Sequence, residues 1–255
     1  MSQDNEFGYS DWEFNRGNIA MSKYSPKFKE EDILKDKDVL DCGCGGGGKS
    51  VYYAIHGAKS VTGIDINQKD IESASVYAKM KKAEDKTVFV LADACHMPFA
   101  DSSFDSVIMN DFFEHVNDPL SALREAMRVI RQGGRVFINF PPYHHPWGAH
   151  LSDAINIPWV HLFYSEKTLI SAYSILVSNY PDSEYRINLR TGGSNDKLEY
   201  INHMTIKKAA RIVKESGFKP EYYKKLPLKT ILKPLSVFES FTGTVVYVFS
   251  KGGEN

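Results

Sequence analysis

The feature that most constrains the fold of this chain is a glycine-rich run, residues 41–50 (DCGCGGGGKS), which directly follows the apolar pair Val39-Leu40. A turn of this kind joins a strand to a helix, and its lack of side chains lets backbone N–H groups approach a ligand closely. The run fits the phosphate-loop pattern G-x-x-x-x-G-K-[ST], the dinucleotide pattern G-x-G-x-x-G and the pattern D-x-G-x-G-x-G. It therefore predicts a nucleotide or nucleoside site and leaves the chemistry of that site open.

Size, charge and cysteine content restrict the classes of function. The 255 residues can bury one α/β core with insertions, and a net charge of −1 gives no basic footprint for nucleic acid. No apolar run approaches the roughly 18–20 residues of a membrane span, and the acidic segment 1–6 does not resemble a signal peptide. The 3 cysteines suit a reducing compartment, so we expect a cytoplasmic protein. The sequence does not determine the oligomeric state.

Strand and helix patterns alternate from residue 38 onward, which predicts a Rossmann-like α/β fold with a doubly wound, mostly parallel, seven-stranded sheet. The predicted strands are 38–41, 60–65, 87–91, 104–109, 135–140, 218–224 and 244–250, and the predicted helices are 49–56, 68–82, 119–131 and 204–216. Gly133-Gly134 is predicted to stop the third of these helices.

The same pattern divides the chain into four segments. We predict N-terminal lid helices over residues 1–36, a ligand-binding core over 37–140, a substrate-binding cap over 141–203, and a helix and strands completing the core over 204–255. The cap is rich in aromatic residues and histidine and shows no clean periodicity. Ligands of open α/β sheets bind beyond the carboxyl ends of the strands, and we expect the cap to cover that edge.

Acidic residues at the predicted strand ends distinguish the glycine patterns. In favour of a phosphate loop, Asp111 follows the fourth strand and could be the acid that binds the metal ion. Against it, Asp41 is an unfavourable neighbour for a triphosphate or a pyrophosphate, whereas it would attract a cationic ligand. Asp65 ends the second strand, where a carboxylate can accept both hydroxyl protons of a ribose. Lys49 and Ser50 are then predicted to be merely the start of a helix.

Further motifs follow in order: 39–47 (VLDCGCGGG), 63–66 (GIDI), 93–99 (DACHMPF), 104–105, 113–116 (FEHV) and 123–135. With this order and spacing the chain resembles the class I S-adenosylmethionine-dependent methyltransferases, of the small-molecule type that includes the quinone methyltransferases. The resemblance covers about residues 37–140, with a weaker match over 204–250.

The resemblance implies S-adenosylmethionine as cofactor, S-adenosylhomocysteine as product and a small-molecule acceptor, with no metal required. By position, the glycines shape the turn against the methionine portion, Asp65 holds the ribose and Asp93 accepts from the adenine amino group. A turn-capping role for Asp93 and a packing role for His115 remain as alternatives. The implied cofactor-binding residues are Asp41, Gly43, Gly45, Gly47, Asp65, Ile66, Asp93, Ala94, Asn110, Phe112 and His115.

Histidines in the predicted cap suggest a site for the acceptor. A hydroxyl nucleophile benefits from a base that titrates near neutral pH, and we predict His150 and His161 for this catalytic role. A metal site is a second interpretation, and capping or packing among the aromatic residues is a third. The metal candidates are His144, His145, His150, Asp153 and His161.

The sequence thus predicts methyl transfer to a small molecule at a hydroxyl oxygen, with C-methylation of a quinone-like ring as the alternative. Pro141-Pro142-Tyr143 resembles the motif of base-modifying amino-methyltransferases, but it follows the fifth strand instead of the fourth, so no nucleic-acid partner is expected. A P-loop NTPase using residues 43–50 and a non-catalytic S-adenosylmethionine-binding protein represent two other classes of function.

Overall fold

A computed structural model of the chain describes residues 7–229, 233–235 and 238–252. The acidic segment 1–6 lies outside the described residues. The sheet has seven strands in the order β3-β2-β1-β4-β5-β7-β6, and β7 runs antiparallel to both of its neighbours while the other pairs are parallel. The predicted doubly wound, mostly parallel, seven-stranded fold is confirmed. The strands are β1 (Asp38–Cys42), β2 (Ser60–Asp65), β3 (Thr87–Leu91), β4 (Phe104–Asn110), β5 (Ile130–Phe140), β6 (Pro220–Pro227) and β7 (Thr242–Ser250).

Several helices begin at residues whose side chains satisfy free backbone N–H groups. Asn67 accepts from the N–H of Lys69 at the start of α5, and Asp118 does the same for Ser121 at the start of α6. None of the helices in the described part of the chain is long and apolar enough to cross a membrane. The helices are α1 (Gly8–Asn15), α2 (Gly17–Ser22), α3 (Glu30–Leu34), α4 (Gly48–Ile55), α5 (Gln68–Met80), α6 (Pro119–Val129), α7 (Glu166–Val177), α8 (Ser183–Thr191) and α9 (Ile206–Ser216).

Strand residues alternate between two hydrophobic cores, one on each face of the sheet. Leu40 lies in the core that includes α6 and α9, and its neighbour Val39 lies in the core that includes α4 and the N-terminal helices. Met21 and Tyr24 are buried in this second core, which fixes the N-terminal segment to the sheet. A third core joins residues of the predicted cap, among them Leu151.

Register brings the carboxyl ends of the central strands to one edge. Asp41 of β1 is level with Gly63 of β2 and Ile108 of β4, so the residues that follow these strands emerge side by side. The glycine-rich turn, the loop after β2 and the loop after β4 therefore share one region of the surface. This is the edge at which ligands bind in open α/β sheets.

Four elements differ from the sequence prediction. Strand β5 begins at Ile130 and runs through Gly133-Gly134, because an irregularity in its pairing with β4 accommodates the glycines, and Gly133 has φ +79°. The glycines therefore do not stop α6, which already ends at Val129. The cap contains α7 and α8, where no element was predicted, and α8 buries only Thr191, so it shows no strong apolar stripe.

Candidate active site

The glycine turn is shaped by backbone conformations that side chains disfavour. Gly43, Gly45 and Gly47 have φ values of +72°, +49° and +80°. A Cβ at Gly43 would clash with the Phe112 ring at 2.5 Å, and one at Gly47 would lie 2.7 Å from the Ala74 Cβ. A Cβ at Gly45 would meet nothing within 4 Å. The turn is therefore packed at both ends and open in the middle, where a ligand could approach the backbone.

Asp41 lies beneath this turn and does not project from it. Its side chain is buried at 3% exposure, and the Ser50 hydroxyl donates a hydrogen bond of 2.6 Å to Asp41 Oδ2. Burial raises the pKa of Asp41 to about 7. A cationic ligand above the turn would favour the ionised form of this carboxyl.

Asp65 links the glycine turn to the end of β2. Its Oδ2 accepts a hydrogen bond of 3.0 Å from the backbone N–H of Gly45, and its Oδ1 accepts one of 3.0 Å from the N–H of Asn67. The next residue, Ile66, is 76% exposed although it is apolar. The turn, the half-buried carboxylate and an apolar side chain are thus adjacent, an arrangement that suits the ribose and base of a nucleoside.

Asp93 lies beyond the end of β3, next to the loop that follows β2. It is exposed, and its Oδ1 accepts a hydrogen bond of 2.8 Å from the N–H of Cys95, which together with His96 lowers the pKa of Asp93. Ala94 is buried in the core. Asp93 therefore caps a turn. Its Oδ2 lies 3.5 Å from His96 Nδ1, and the Asp93 side chain is 54% exposed. This position is compatible with both predicted roles.

Asn110 belongs to a buried hydrogen-bond network. Its Oδ1 accepts from the Tyr24 hydroxyl at 2.5 Å, and its Nδ2 donates to the Tyr53 hydroxyl at 2.8 Å. Asn139 on β5 donates to the Tyr24 hydroxyl at 2.9 Å and accepts from the Lys23 ammonium at 2.8 Å. The Asn110 side chain thus anchors the N-terminal segment to β4 and β5, and only its backbone remains to contact a cofactor.

An ion-pair cluster that the sequence did not reveal lies above the end of β4. The ammonium of Lys49 is 3.1 Å from Glu13 of α1 and 3.7 Å from Asp111, and the ammonium of Lys23 is 2.9 Å from Asp111. Desolvation raises the pKa of Asp111, but the charges of Lys23 and Lys49 outweigh it and hold that pKa below its ordinary value. Lys49 and Ser50 begin α4, as predicted, and tertiary packing in addition gives each of them a buried acidic partner.

His115 and Phe112 follow β4 on the side of the cap. The Phe112 ring packs against Gly43, as described for the turn. His115 Nδ1 is 2.8 Å from the backbone oxygen of Tyr200, and its ring centroid lies 4.9 Å from that of His150. The loop after β4 therefore connects the cofactor edge with the cap.

The two histidines predicted to be catalytic have different surroundings. His161 is 7% exposed, its Nε2 is 2.7 Å from the Tyr143 carbonyl oxygen, and its Nδ1 is buried without a partner among the described residues. Burial, with smaller contributions from His115 and Arg190, lowers the pKa of His150 to about 3. An imidazole with this pKa is a weak proton acceptor at neutral pH.

The five metal candidates do not converge on one point. His144 pairs with Glu239 at 3.2 Å, and Asp153 accepts from Tyr173 at 2.8 Å and Arg186 at 2.9 Å. A different group does come together: one ligand atom each from Glu114, His115 and His150 lie within 4.8 Å of one another. Glu114 was not singled out from the sequence, because its burial depends on the cap folding over the loop that carries it.

Known proteins are similar to the chain at this edge of the sheet and in its overall fold. A family described as "Methyltransferase domain" matches residues 40–138, the segment that contains the glycine turn, Asp65, Asp93 and His115. Residues 40–138 are thus similar in sequence to methyltransferase domains, and the fold is similar to that of an S-adenosylmethionine-dependent methyltransferase. The family match therefore covers the edge of the sheet where the candidate cofactor residues meet, and it ends before the cap.

Curated relatives resemble the chain over 38% to 53% of its length. The 27-O-demethylrifamycin SV methyltransferase of Amycolatopsis mediterranei (strain S699) is 39% identical over 98 residues, which are 38% of this chain and 36% of the relative. The chloroplastic tocopherol O-methyltransferase of Arabidopsis thaliana is 33% identical over 139 residues, 53% of this chain and 40% of the relative. The norajmaline N-methyltransferase of Rauvolfia serpentina is 35% identical over 109 residues, 43% of this chain and 37% of the relative. The chain thus spans about two fifths of the length of the curated relatives it matches.

Solved structures extend the similarity to nearly the whole fold. An S-adenosylmethionine-dependent methyltransferase from Methanosarcina mazei is 22% identical, covers 87% of this chain and 95% of its own, and has a TM-score of 0.55. The [4+2]-cyclase SpnF is 13% identical, covers 94% of this chain and 82% of its own, and has a TM-score of 0.59. Structural similarity at such low sequence identity shows the fold alone, because one fold can carry many different chemistries.

Proposed function

We propose that this chain transfers a methyl group from S-adenosylmethionine to a small-molecule acceptor, and that the acceptor atom is a hydroxyl oxygen. The observation that carries the proposal is the hydrogen bond from the Gly45 N–H to the Asp65 carboxylate. It holds an acid beside the open part of the glycine turn, where a nucleoside diol would find an acceptor for its protons. Asp41 beneath the turn adds negative charge below the expected position of the sulfonium.

The partners of Lys49 and Ser50 oppose the phosphate-loop alternative. A phosphate loop uses its lysine for the phosphates and its hydroxyl for Mg²⁺. Here the Lys49 ammonium pairs with Glu13 and Asp111, and the Ser50 hydroxyl is bonded to Asp41. Binding of ATP would require these pairs to break, which would leave Glu13 buried without its cation.

Methyl transfer is an in-line displacement, so the main task of the protein is to align the acceptor with the sulfonium and to exclude water. The proposal assigns the cofactor to the glycine turn with Asp65 and Asp93, and the acceptor to the space between the loop after β4 and the cap. His150 suits the acceptor side better than His161, because the ring of His161 is enclosed and bonded to Tyr143. The role of His150 as a base stays a prediction.

The acceptor class draws support from the relatives. Of the three curated relatives described above, one is named for an O-demethylated substrate, one is named as an O-methyltransferase and one is named as an N-methyltransferase. Aromatic side chains in the cap, including Tyr143 and Tyr200, offer apolar surface for a ring-bearing substrate. C-methylation of a quinone-like ring remains the alternative to O-methylation.

Thermal unfolding of the purified chain with S-adenosylhomocysteine or with ATP–Mg²⁺ tests the cofactor assignment. We expect S-adenosylhomocysteine at a hundred times its dissociation constant to stabilise the fold by about 2.7 kcal/mol, and ATP–Mg²⁺ to have no effect. Stabilisation by ATP–Mg²⁺ alone would overturn the proposal in favour of an NTPase.

The site of methylation needs a second experiment. S-Adenosylmethionine labelled with ¹³C in its methyl group is incubated with the chain and a panel of phenols, aliphatic alcohols, amines and quinols. The carbon chemical shift of the product distinguishes O-, N- and C-methyl groups, and we expect an O-methyl signal. A C-methyl signal with quinols alone would replace the hydroxyl assignment, and cofactor binding without product from any acceptor would support a non-catalytic binding protein.

A further inference from the structure

A buried carboxylate without a partner marks the boundary between the β4 loop and the cap. Glu114 is 3% exposed, and neither of its carboxylate oxygens has a hydrogen-bond partner in the described part of the chain. An isolated buried carboxylate costs several kcal/mol unless a positive charge or a proton donor compensates it. Glu114 therefore indicates that something binds there.

His115 presents a lone pair toward this carboxylate. The Tyr200 carbonyl oxygen, 2.8 Å from His115 Nδ1, can only accept, so Nδ1 carries the hydrogen of the neutral ring and Nε2 is unprotonated. Nε2 lies 3.7 Å from Glu114 Oε1, which is too far for a hydrogen bond between the two side chains. A histidine whose second nitrogen donates to a backbone carbonyl is the usual arrangement of a metal ligand.

The cap supplies the third donor atom. His150 has φ +55°, and its backbone is held between Ala149 and Leu151, which are buried in the cap core. Its ring lies 4.9 Å from that of His115, and one of its nitrogens completes the group of ligand atoms within 4.8 Å of one another. The described structure gives the ring nitrogens of His150 no hydrogen bond, so they are free to coordinate.

Hydrogen bonds fix the loop that carries two of these donors. The Asn202 N–H donates to the Glu114 carbonyl at 2.8 Å, and its Nδ2 donates to the carbonyls of Phe113 at 2.9 Å and Val116 at 2.7 Å. Arg190 brings a positive charge to the cap side and is 3.8 Å from Asp153, which limits its repulsion of a cation. The three donors are therefore preorganised by contacts outside the group itself.

We infer that Glu114, His115 and His150 bind a divalent first-row transition-metal ion. Two imidazoles and one carboxylate form a donor set that suits such ions and leaves coordination positions open for a substrate oxygen. The inference rests on the proposed function for its chemical role: the acceptor hydroxyl would coordinate the ion, which lowers the pKa of that hydroxyl. The hydroxyl proton would pass to solvent water, the oxygen lone pair would form a bond to the methyl carbon, and the carbon–sulfur electron pair would go to sulfur, leaving neutral S-adenosylhomocysteine.

Metal titration of the chelator-treated full chain tests the inference, with Zn²⁺ followed by calorimetry and Co²⁺ by its visible absorption. We expect one ion per chain, and we expect Glu114→Gln and His150→Asn each to weaken binding by at least about tenfold. His96→Asn, at a side chain 85% exposed, is the matched control and should bind as the wild type does. If Glu114→Gln does not fold, His150→Asn decides the outcome.

Binding of S-adenosylhomocysteine to the same samples separates the two proposals. Both variants should bind it within about threefold of the wild type, since neither residue belongs to the proposed cofactor cradle. A wild-type chain that binds S-adenosylhomocysteine but no ion, or variants that bind the ion as tightly as the wild type, would overturn the metal site alone. A chain that binds the ion but not S-adenosylhomocysteine would instead overturn the proposed function.

Discussion

The hydroxyl of Ser50 donates a hydrogen bond of 2.6 Å to Oδ2 of Asp41, so the first turn of α4 is tied to the carboxyl end of β1 beneath the glycine turn. Asp41 is otherwise enclosed by protein, at 3% exposure. The serine of the phosphate-loop pattern therefore has a structural role. The hydrogen bond also places an ionisable group where its charge affects both folding and the binding of a cation.

The first prediction concerns the pH dependence of stability. Burial raises the pKa of Asp41 from 3.8 to about 7, so between these pH values the folded chain holds a proton that the unfolded chain has released. The contribution of this group to stability is present below about pH 4 and is lost as the pH rises through 7. The difference in free energy of unfolding between Asp41→Asn and the wild type should therefore change with pH. It should shift in favour of Asp41→Asn by up to about 4 kcal/mol as the pH rises from 4 to 8.

Urea unfolding of both proteins across that range measures the difference. Asp85→Asn, at an exposed position, is the control and should follow the wild type at every pH. A constant difference between Asp41→Asn and the wild type would contradict the assignment of a raised pKa to Asp41.

The second prediction concerns the Asp65 carboxylate. Asp65→Ala removes the acceptor of the Gly45 N–H and the expected acceptor of the ribose hydroxyls. Hydrogen bonds to charged groups contribute about 1.5–3 kcal/mol, so affinity for S-adenosylhomocysteine should fall roughly 10- to 100-fold by calorimetry. The exposed Asp85→Ala serves as the matched control. Affinity within twofold of the wild type would exclude Asp65 from the cofactor site.

The third prediction concerns the ion pair between α1 and α4. Lys49→Ala leaves Glu13, whose side chain is 8% exposed, without the ammonium that lies 3.1 Å away. Breaking a buried pair from one side should lower the free energy of unfolding by about 3 kcal/mol. The double variant Glu13→Gln with Lys49→Met removes both charges and should recover most of that loss. Denaturant titrations of the three proteins check this, and a Lys49→Ala chain as stable as the wild type would show that the pair contributes nothing.

The fourth prediction compares three glycines with left-handed backbones. Gly45 and Gly217 have φ +49° and +78°, and a Cβ at either position would meet nothing within 4 Å, so alanine at either should cost about 1 kcal/mol of stability. Only Gly45→Ala should also weaken S-adenosylhomocysteine binding, because only Gly45 borders the expected ligand. Gly47→Ala should destabilise more, since its Cβ would lie 2.7 Å from the Ala74 Cβ. Equal cofactor affinity in Gly45→Ala and Gly217→Ala would place the ligand elsewhere.

The sheet, and the edge where the candidate cofactor residues meet, could be predicted because their signals are local. The glycine turn, the acid that ends β2 and the alternation of strands with helices each lie within a short stretch of sequence, and parallel strands bring their carboxyl ends together. The helix α8 of the cap could not be predicted, because it is polar over most of its surface and buries only Thr191, so the sequence shows no apolar stripe there. Gly133-Gly134 were predicted to stop a helix, but they lie within β5, where an irregularity in the pairing with β4 accommodates them.

The sequence by itself determined the fold class and the resemblance to the methyltransferases, since the glycine turn and the order of motifs do not depend on how the remaining chain packs. Only the tertiary structure decided the partners of Lys49 and Ser50, the burial of Asn110 in a tyrosine network, and the meeting of Glu114 and His115 with His150. These contacts join segments far apart in the sequence. Their distances are set by how the N-terminal helices and the cap pack on the sheet, and no local pattern records that packing.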